Sequence, residues 1–122
     1  MSVLQSAVTF DEKENVLTAK IIGEIDHHSA KTLREKIDGE VCYRRPEKLI
    51  VDFSDVSFMD SSGLGLLLGR MKTAESIGCS FALKDPSERI VRLLKLSGAD
   101  RLFCITGEKQ KEQEKSNGKK HY

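Results

Sequence analysis

The apolar residues of this chain follow two spacings, one typical of strands and one typical of helices. Residues Val3 to Phe10 are rich in β-branched and apolar types, and Val16 to Ile22 alternate well enough for a second strand. The polar run Asp11 to Asn15 is short, so we expect these two strands to pair antiparallel. Helical spacing starts at Ser29, and the apolar positions of that helix are Ala30, Leu33, Ile37 and Val41.

A second unit of strand and helix follows. The short apolar run Lys48 to Phe53 is typical of a buried strand, and Ser54 to Ser57 is predicted to be a polar connector. A helix then begins within Asp60 to Gly63, and Gly78 is expected to end it. Its apolar stripe consists of Leu64, Leu67, Leu68, Met71, Ala74 and Ile77.

A third unit begins with a strand at Ser80 to Lys84. The next residues form a helix start, with Asp85 as the predicted cap, Pro86 at the first helical position and Glu88 three residues after the cap. This helix is expected to end near Gly98, and its apolar positions are Ile90, Leu93 and Leu94.

A last strand is predicted at Leu102 to Ile105. The alternation of strands and helices indicates an α/β fold, with a mixed sheet of about five strands layered with about three to four α-helices. From Gly107 to Tyr122 the chain has five Lys and three Glu and no apolar residue except the terminal Tyr. We therefore expect one domain over residues 1–106 and a disordered polar tail over 107–122.

Composition narrows the class of protein. The chain has 122 residues, 39% hydrophobic and 32% charged, as expected for one globular domain with a modest core. Its net charge of +1 gives no global field that would draw it to nucleic acid or to a membrane. With no Trp, two Tyr and five Phe, a platform for stacking bases is hard to build.

The three cysteines fit a reducing compartment. Cys42, Cys79 and Cys104 lie far apart and are odd in number, so neither a disulfide framework nor a zinc site is expected. We expect all three to be small buried hydrophobic residues. The chain shows no apolar N-terminal run and no apolar stretch of about 20 residues, and the prediction is a cytosolic protein.

The segment around Ser61 carries the strongest functional signal. Asp60, Ser61, Ser62 and Gly63 stand where the second helix begins, and Asp, Ser and Gly are residues that cap a helix. A simple N-cap is one interpretation. However, two adjacent hydroxyls are present where one cap would suffice, which favours a functional role.

Glycines in this helix support that role. Gly63, Gly65 and Gly69 each cost about 1 kcal/mol of helix stability relative to Ala. They leave helix surface bare, so either another protein approaches closely there or a neighbouring element of the same domain does. The residues alone do not decide between these two interpretations.

Catalytic motifs do not fit the spacing. The glycines match neither a phosphate-binding P-loop nor a dinucleotide fingerprint, and Ser61 lacks the flanking glycines of a nucleophile elbow. His27 or His28 could act as a base, so a serine hydrolase is the remaining enzyme hypothesis. The prediction is a protein that is not an enzyme and has no cofactor.

A second polar cluster surrounds Asp26. Neighbouring histidines such as His27 and His28 do not share a face of a helix or strand, so metal binding is not expected. Asp26 is either a helix cap or an exposed acid, and Ser29 could also cap. If the sheet places this loop beside the Ser61 turn, Asp26 becomes a candidate contact for a partner.

Three motifs resemble a known family. The runs Gly23–His28, Phe58–Gly65 and Leu94–Gly98 resemble those of STAS-domain anti-sigma factor antagonists, over about residues 3–106. The Asp-Ser-Ser-Gly turn is specific to the phosphorylatable antagonists. The Asp-His-His run narrows the resemblance to members from sporulation.

The resemblance implies a STAS fold and a partner-switching mechanism. The unphosphorylated antagonist would bind an anti-sigma factor that is also a serine kinase, carrying ATP or ADP, and so release the sigma factor. The kinase would phosphorylate Ser61, the modified antagonist would dissociate, and a serine phosphatase would restore it. The partner-binding residues would be Asp26, Asp60, Ser61, Ser62, Gly63 and Gly65.

Apart from the kinase and the phosphatase, no partner is implied. No nucleic acid, membrane, metal or cofactor is expected, and the free protein is predicted to be a monomer. The competing interpretation within the family is a STAS scaffold module, as in stressosomes or transporter tails. The tail after Gly107 has no counterpart in the resemblance.

Overall fold

A computed structural model describes residues 6–107 of the protein. These residues form five strands, three α-helices and one short 3-10 helix, which supports the predicted α/β class. In chain order the elements are β1 (Ala7–Lys13), β2 (Val16–Ile25), α1 (His27–Arg44), β3 (Lys48–Met59), α2 (Ser61–Ser76), β4 (Ser80–Lys84), α3 (Glu88–Ser97), the 3-10 helix (Ala99–Arg101) and β5 (Cys104–Thr106).

The strands form one mixed sheet in the order β1-β2-β3-β4-β5. Strand β1 is antiparallel to β2, whereas β2, β3, β4 and β5 run parallel to one another. Parallel neighbours need a crossover, and here each crossover contains a helix. Helices α1 and α2 therefore begin at the same edge of the sheet, where β2 and β3 end.

The core lies between one face of the sheet and helices α1 and α2. Its fully buried side chains alternate along the central strands and repeat at helical spacing in α1, as predicted. They include Leu17, Ala19, Ile21, Leu33, Ile37, Val41, Leu49, Val51 and Phe53. In α2 the predicted stripe is partly right: Leu67, Met71 and Ala74 are buried, Leu66 is buried as well, and Leu64, Leu68 and Ile77 are only half-buried.

The first hairpin is tighter than the sequence indicated. Strand β1 extends to Lys13, and the turn is only Glu14 and Asn15, with φ of 53° and 65°. Two residues with positive φ give the turn whose twist matches a hairpin. The assignment of Asp11 to Lys13 to the turn was wrong, because their charged side chains lie on an exposed edge strand. Val3 to Gln5 lie outside the described residues.

The predicted connector Ser54 to Ser57 is wrong, because β3 continues through it to Met59. Asp55 pairs with Ile22 of β2, and its carboxylate lies 3.1 Å from the ammonium group of Lys20. The pairing contains register shifts near Ile22 and Gly23, so polar residues face solvent while Val56 stays buried. The extension carries β3 to the edge where α2 begins.

The start of α3 also differs from the prediction. Ser87, not Asp85, is the cap, and its hydroxyl accepts a hydrogen bond from the N–H of Ile90 at 3.3 Å. Asp85 has a φ of 51°, and its N–H donates to the carbonyl of Thr106 at 2.9 Å, which ties it to β5. Gly98 ends α3 as expected, in the left-handed conformation.

The last strand and the cysteines need correction. Strand β5 starts at Cys104 and not at Leu102, which is exposed after the 3-10 helix. Cys79 is buried as predicted, and burial raises the pKa of its thiol. Cys42 and Cys104 are exposed, so the expectation of three buried cysteines was wrong.

Within residues 6–107, no helix is both long and apolar enough to cross a membrane. The tail predicted for residues 107–122 lies outside the described residues, apart from Gly107.

Candidate partner-binding site

The starts of α1 and α2 lie side by side. The last residues of β2 and β3, Ile25 and Met59, are paired in the sheet. The N–H of Asp60 donates to the carbonyl of Ile25 at 3.2 Å, which joins the two turns directly. The loop that carries Asp26 therefore lies beside the turn that carries Ser61, which keeps Asp26 a candidate contact for a partner.

Asp26 is the N-cap of α1. Its carboxylate accepts a hydrogen bond from the N–H of Ser29 at 2.9 Å, and the Ser29 hydroxyl accepts one from the N–H of Asp26 at 3.0 Å. This reciprocal pair is a capping box that satisfies two backbone donors at the helix start. The hydrogen bonds from Ser29 hold the pKa of Asp26 below its ordinary value, so the group is charged at neutral pH.

Asp60 plays the same part for α2. Its carboxylate accepts a hydrogen bond from the N–H of Ser62 at 2.7 Å. Ser61 is the first residue of α2 and is exposed, whereas Ser62 is half-buried. The cap is therefore Asp60 and not Ser61 or Ser62.

Gly63 packs inside the domain. It is buried, and a Cβ atom at this position would overlap the side chain of Met59 and lie 3.3 Å from Cγ2 of Ile25. The first turn of α2 therefore sits directly on the ends of β2 and β3 because Gly63 has no side chain.

Gly65 and Gly69 face outward. A Cβ atom at either position would have no neighbour within 4 Å, and Lys72 and Ser76 on the same side of α2 are exposed. The two interpretations of the glycines thus apply to different residues: Gly63 packs within the domain, while Gly65 and Gly69 leave a bare strip that runs away from Ser61.

One exposed aromatic residue was not singled out from the sequence. Phe58 at the end of β3 is 43% exposed and lies two residues before Asp60. On the neighbouring strand, Ile22 is 38% exposed. The sequence does place the apolar Phe58 beside the Asp-Ser-Ser-Gly turn. However, residue type alone does not show whether an apolar side chain at the end of a strand is buried or exposed.

The histidines do not form a metal site within residues 6–107. His27 and His28 are the first two residues of α1 and are exposed, with ring centroids 5.8 Å apart. No group of three or more potential metal ligands occurs in the described part of the chain.

A groove of about 330 Å³ lies beside the histidines, between the end of β2 and the first half of α1, and Glu24 and Asp26 line it.

Comparison with known proteins identifies the class. The STAS domain profile matches residues 7–114. The anti-sigma F factor antagonist of Paenibacillus polymyxa is 33% identical over 98 residues, which covers 80% of this chain and 84% of that protein. The anti-sigma-B factor antagonist of Bacillus subtilis (strain 168) is 35% identical over 103 residues, covering 84% of this chain and 93% of that protein.

Solved structures agree with this class. The unphosphorylated form of the anti-sigma factor antagonist SpoIIAA matches with a TM-score of 0.72 and 27% identity, covering 92% of this chain and 97% of that one. The phosphorylated form of Bacillus SpoIIAA matches with a TM-score of 0.65 and 29% identity, covering 88% and 97%.

The chain therefore belongs to the STAS domain family. Its five-stranded mixed sheet and three helices are those of the STAS fold, as the resemblance implied. Within that family it is an anti-sigma factor antagonist, like the two relatives above.

Proposed function

We propose that this antagonist is switched by phosphorylation of Ser61. In its unmodified form it binds an anti-sigma factor that is also a serine kinase, carrying ATP or ADP, and the sigma factor is released. The kinase phosphorylates Ser61, the complex dissociates, and a serine phosphatase restores the unmodified form. The observation that carries this proposal is the exposed Ser61 at the start of α2, with the bare strip behind it.

The choice of Ser61 over Ser62 has a structural rationale. Ser61 is exposed, whereas Ser62 is half-buried and its N–H is bonded to the Asp60 carboxylate. A kinase must reach the hydroxyl that it modifies, so the more exposed residue is the better substrate. The relative SpoIIAA has been solved in both unphosphorylated and phosphorylated forms, which supports a modification of this kind here.

A phosphate at Ser61 is compatible with the fold. It adds nearly two negative charges at pH 7, and the N-terminus of a helix favours negative charge. The same group would place bulk and charge beside the carboxylates of Asp26 and Asp60, on a surface that a partner must cover. Loss of binding without loss of folding is therefore the expected consequence.

The partner-binding surface that we propose comprises two helix starts. Asp26 belongs to it because its turn is joined to that of Asp60, and its negative charge suits a basic side chain of the partner. Ser62 and Gly63 shape the turn, and Gly65 lets the partner approach the helix closely. The complete set is Asp26, Asp60, Ser61, Ser62, Gly63 and Gly65.

The test is to map the phosphate. The protein is incubated with ATP and an anti-sigma factor kinase, and the phosphopeptide is identified by mass spectrometry. We expect one phosphate, on Ser61, that is absent from Ser61→Ala and present in the matched control Ser62→Ala. A phosphate on any other residue would refute the assignment.

We further propose that the protein acts in the cytoplasm as a monomer that is not an enzyme. Purified protein should show no esterase turnover above the Ser61→Ala control. Turnover that is lost in both Ser61→Ala and His28→Ala would favour a serine hydrolase. A large homo-assembly on size-exclusion chromatography would favour the scaffold alternative.

A further inference from the structure

A buried arginine lies between the two helices that carry the site. Arg70 of α2 is 7% exposed, and its Nε lies 3.0 Å from Oδ1 of Asp38 on α1. Positions 63, 67, 70 and 74 of α2 share its buried face, so Arg70 occupies a place that an apolar residue would ordinarily fill.

This ion pair is not well suited to stabilise the fold. Within residues 6–107, Nε and Nη1 of Arg70 have no hydrogen-bond partner, although Nε lies 3.0 Å from the Asp38 carboxylate. Burial lowers the pKa of Arg70, while Asp38 opposes that shift. Asp38 is half-buried, whereas Arg70 is buried with unsatisfied donors. A buried charge of this kind is often no better than apolar packing, but it can enforce one arrangement of the chain.

The charges on α1 distinguish one arrangement from its neighbour. Arg34 lies one helical turn before Asp38, and its charge also acts on Arg70, unfavourably. Helices α1 and α2 run in the same direction because both cross between parallel strands. If α2 moved about 5.4 Å, one turn, towards the start of α1, Arg70 would leave Asp38 and face Arg34.

Such a movement would alter the partner-binding surface. Ser61 lies nine residues before Arg70 on the same helix, a distance of about 13.5 Å. Asp26 caps α1, which carries both Asp38 and Arg34. The hydrogen bond of Asp60 to Ile25 and the packing of Gly63 hold the start of α2 on the sheet. The Arg70–Asp38 contact adds a constraint farther along the helix, and because helices move largely as rigid units, loss of that contact would change how Ser61 sits relative to Asp26.

We propose that Arg70 is a positioning residue that holds α2 in register against α1, through attraction to Asp38 and repulsion from Arg34, and so sets Ser61 beside Asp26 for the partner. The inference rests on the proposed function for its consequence, but the register itself can be tested without a partner.

The first test separates affinity from stability. Arg70→Met keeps much of the length of the side chain and removes its charge, so the melting temperature should stay equal or rise. Affinity for the anti-sigma factor should nevertheless fall at least about fivefold. Arg70→Lys keeps the charge and should stay within about twofold of the unmodified protein. A purely structural role predicts instead that affinity falls only when stability falls.

A matched control is Arg44→Met. Arg44 also pairs two elements, with Nη1 2.8 Å from Glu12 of β1 and Nε 2.6 Å from Glu40 of α1, but it is exposed and its ion pairs do not involve α2. Its substitution should leave affinity unchanged. Equal affinities of Arg70→Met and the unmodified protein would overturn the proposal.

The second test needs no partner. Backbone amide resonances of Ser62 and Gly63 should shift or broaden in Arg70→Met and not in Arg44→Met. Arg34 is exposed, so Arg34→Glu leaves the core intact. It should give the same change in the resonances, because Arg70 would then be attracted both to Asp38 and to position 34. The control for that charge reversal is Arg92→Glu on α3.

The outcomes are distinguishable. If the unmodified protein binds no anti-sigma factor kinase, the proposed function is contradicted. The amide resonances would still show whether Arg70 holds α2 in position against α1. Resonances of Ser62 and Gly63 that coincide with those of the unmodified protein in both Arg70→Met and Arg34→Glu overturn the positioning role, whatever the affinity.

Discussion

Gly63 and Gly65 are separated by one residue on α2 and meet opposite surroundings. A side chain on Gly63 would overlap Met59, whereas one on Gly65 would meet open space. The first glycine lets the turn that bears Ser61 rest on the sheet, and the second leaves the helix surface bare where we propose that the partner approaches. Substitutions at these two positions should therefore affect different properties of the protein.

Gly63→Ala should destabilise the fold. The new methyl group must displace Met59 or push α2 away from Ile25, and overpacking of this kind costs about 1–3 kcal/mol. The measurement is the free energy of unfolding in urea, with Gly65→Ala as the control at the same helix end. Equal stability of Gly63→Ala and the unmodified protein would contradict the close packing of this turn.

Asp26→Asn should weaken partner binding while the protein stays folded at neutral pH. Asn retains an oxygen that can accept the hydrogen bond from Ser29, so the cap survives, but the negative charge is removed. Affinity for the kinase should fall, or phosphorylation should slow, while the circular dichroism spectrum is unchanged. Normal binding would limit Asp26 to its role as a cap.

The acid side of the stability curve gives a second measure of Asp26. Its pKa is lowered in the folded protein, so its contribution is present above the ordinary range of an Asp and is lost as pH falls through the lowered value. In Asp26→Asn, the melting temperature should therefore fall less as the pH is lowered into the acid range. Superimposable pH profiles of melting temperature would show that the carboxylate contributes nothing to stability.

At the scale of the element, one added methyl group can test whether the exposed side of α2 belongs to the partner-binding surface. Gly65→Ala should stabilise the helix by about 1 kcal/mol, since Ala is the better helix former and no atom of the described chain lies in its way. The same methyl group should reduce affinity for the anti-sigma factor, because it occupies the space that the partner needs. A rise in stability together with a fall in affinity is the expected signature.

Gly39→Ala is the matched control for that experiment. Gly39 lies in α1 and is exposed, and a Cβ atom added there would likewise have no neighbour within 4 Å. The substitution should give a similar gain in helix stability and no change in affinity. If Gly65→Ala binds as tightly as Gly39→Ala, the bare strip is not part of the partner-binding surface.

Elements with a clear period could be predicted from the sequence. Strand β4 has the predicted bounds, and α1 and α3 bury most of the apolar positions predicted from helical spacing, with the ends of α1 shifted. The second half of β3 could not be predicted, because register shifts break its alternation and Asp55 points to solvent. The charged end of β1 was missed for a related reason: an edge strand exposes residues that resemble a turn.

The site was predictable where residue type determines its role. Asp60 as a cap and Ser61 at a helix start follow from capping preferences, whereas the hydrogen bond between Asp60 and Ile25 depends on a register that only the fold sets. Arg70 was missed because a charged residue within a helix is ordinarily assigned to the solvent face. Its burial results from the packing of two helices far apart in sequence.

At the scale of the whole molecule, the described domain ends where β5 meets β4. The carbonyl of Thr106 accepts a hydrogen bond from the N–H of Asp85, and Gly107 is buried against the same residue. Removal of residues 108–122, which lack apolar side chains except Tyr122, should leave the melting temperature and kinase binding nearly unchanged. A loss of several degrees would show that these residues belong to the folded unit.

The most direct test of the switch is a titration of nucleotide-bound anti-sigma factor kinase with unmodified and Ser61-phosphorylated protein. Phosphorylation should weaken binding at least about tenfold, or ~1.4 kcal/mol, with an unchanged circular dichroism spectrum. Ser61→Ala should bind like the unmodified protein, and Ser61→Asp, with about half the charge of a phosphate, should reproduce only part of the loss. Equal affinities of the phosphorylated and unmodified forms would contradict Ser61 as the switch.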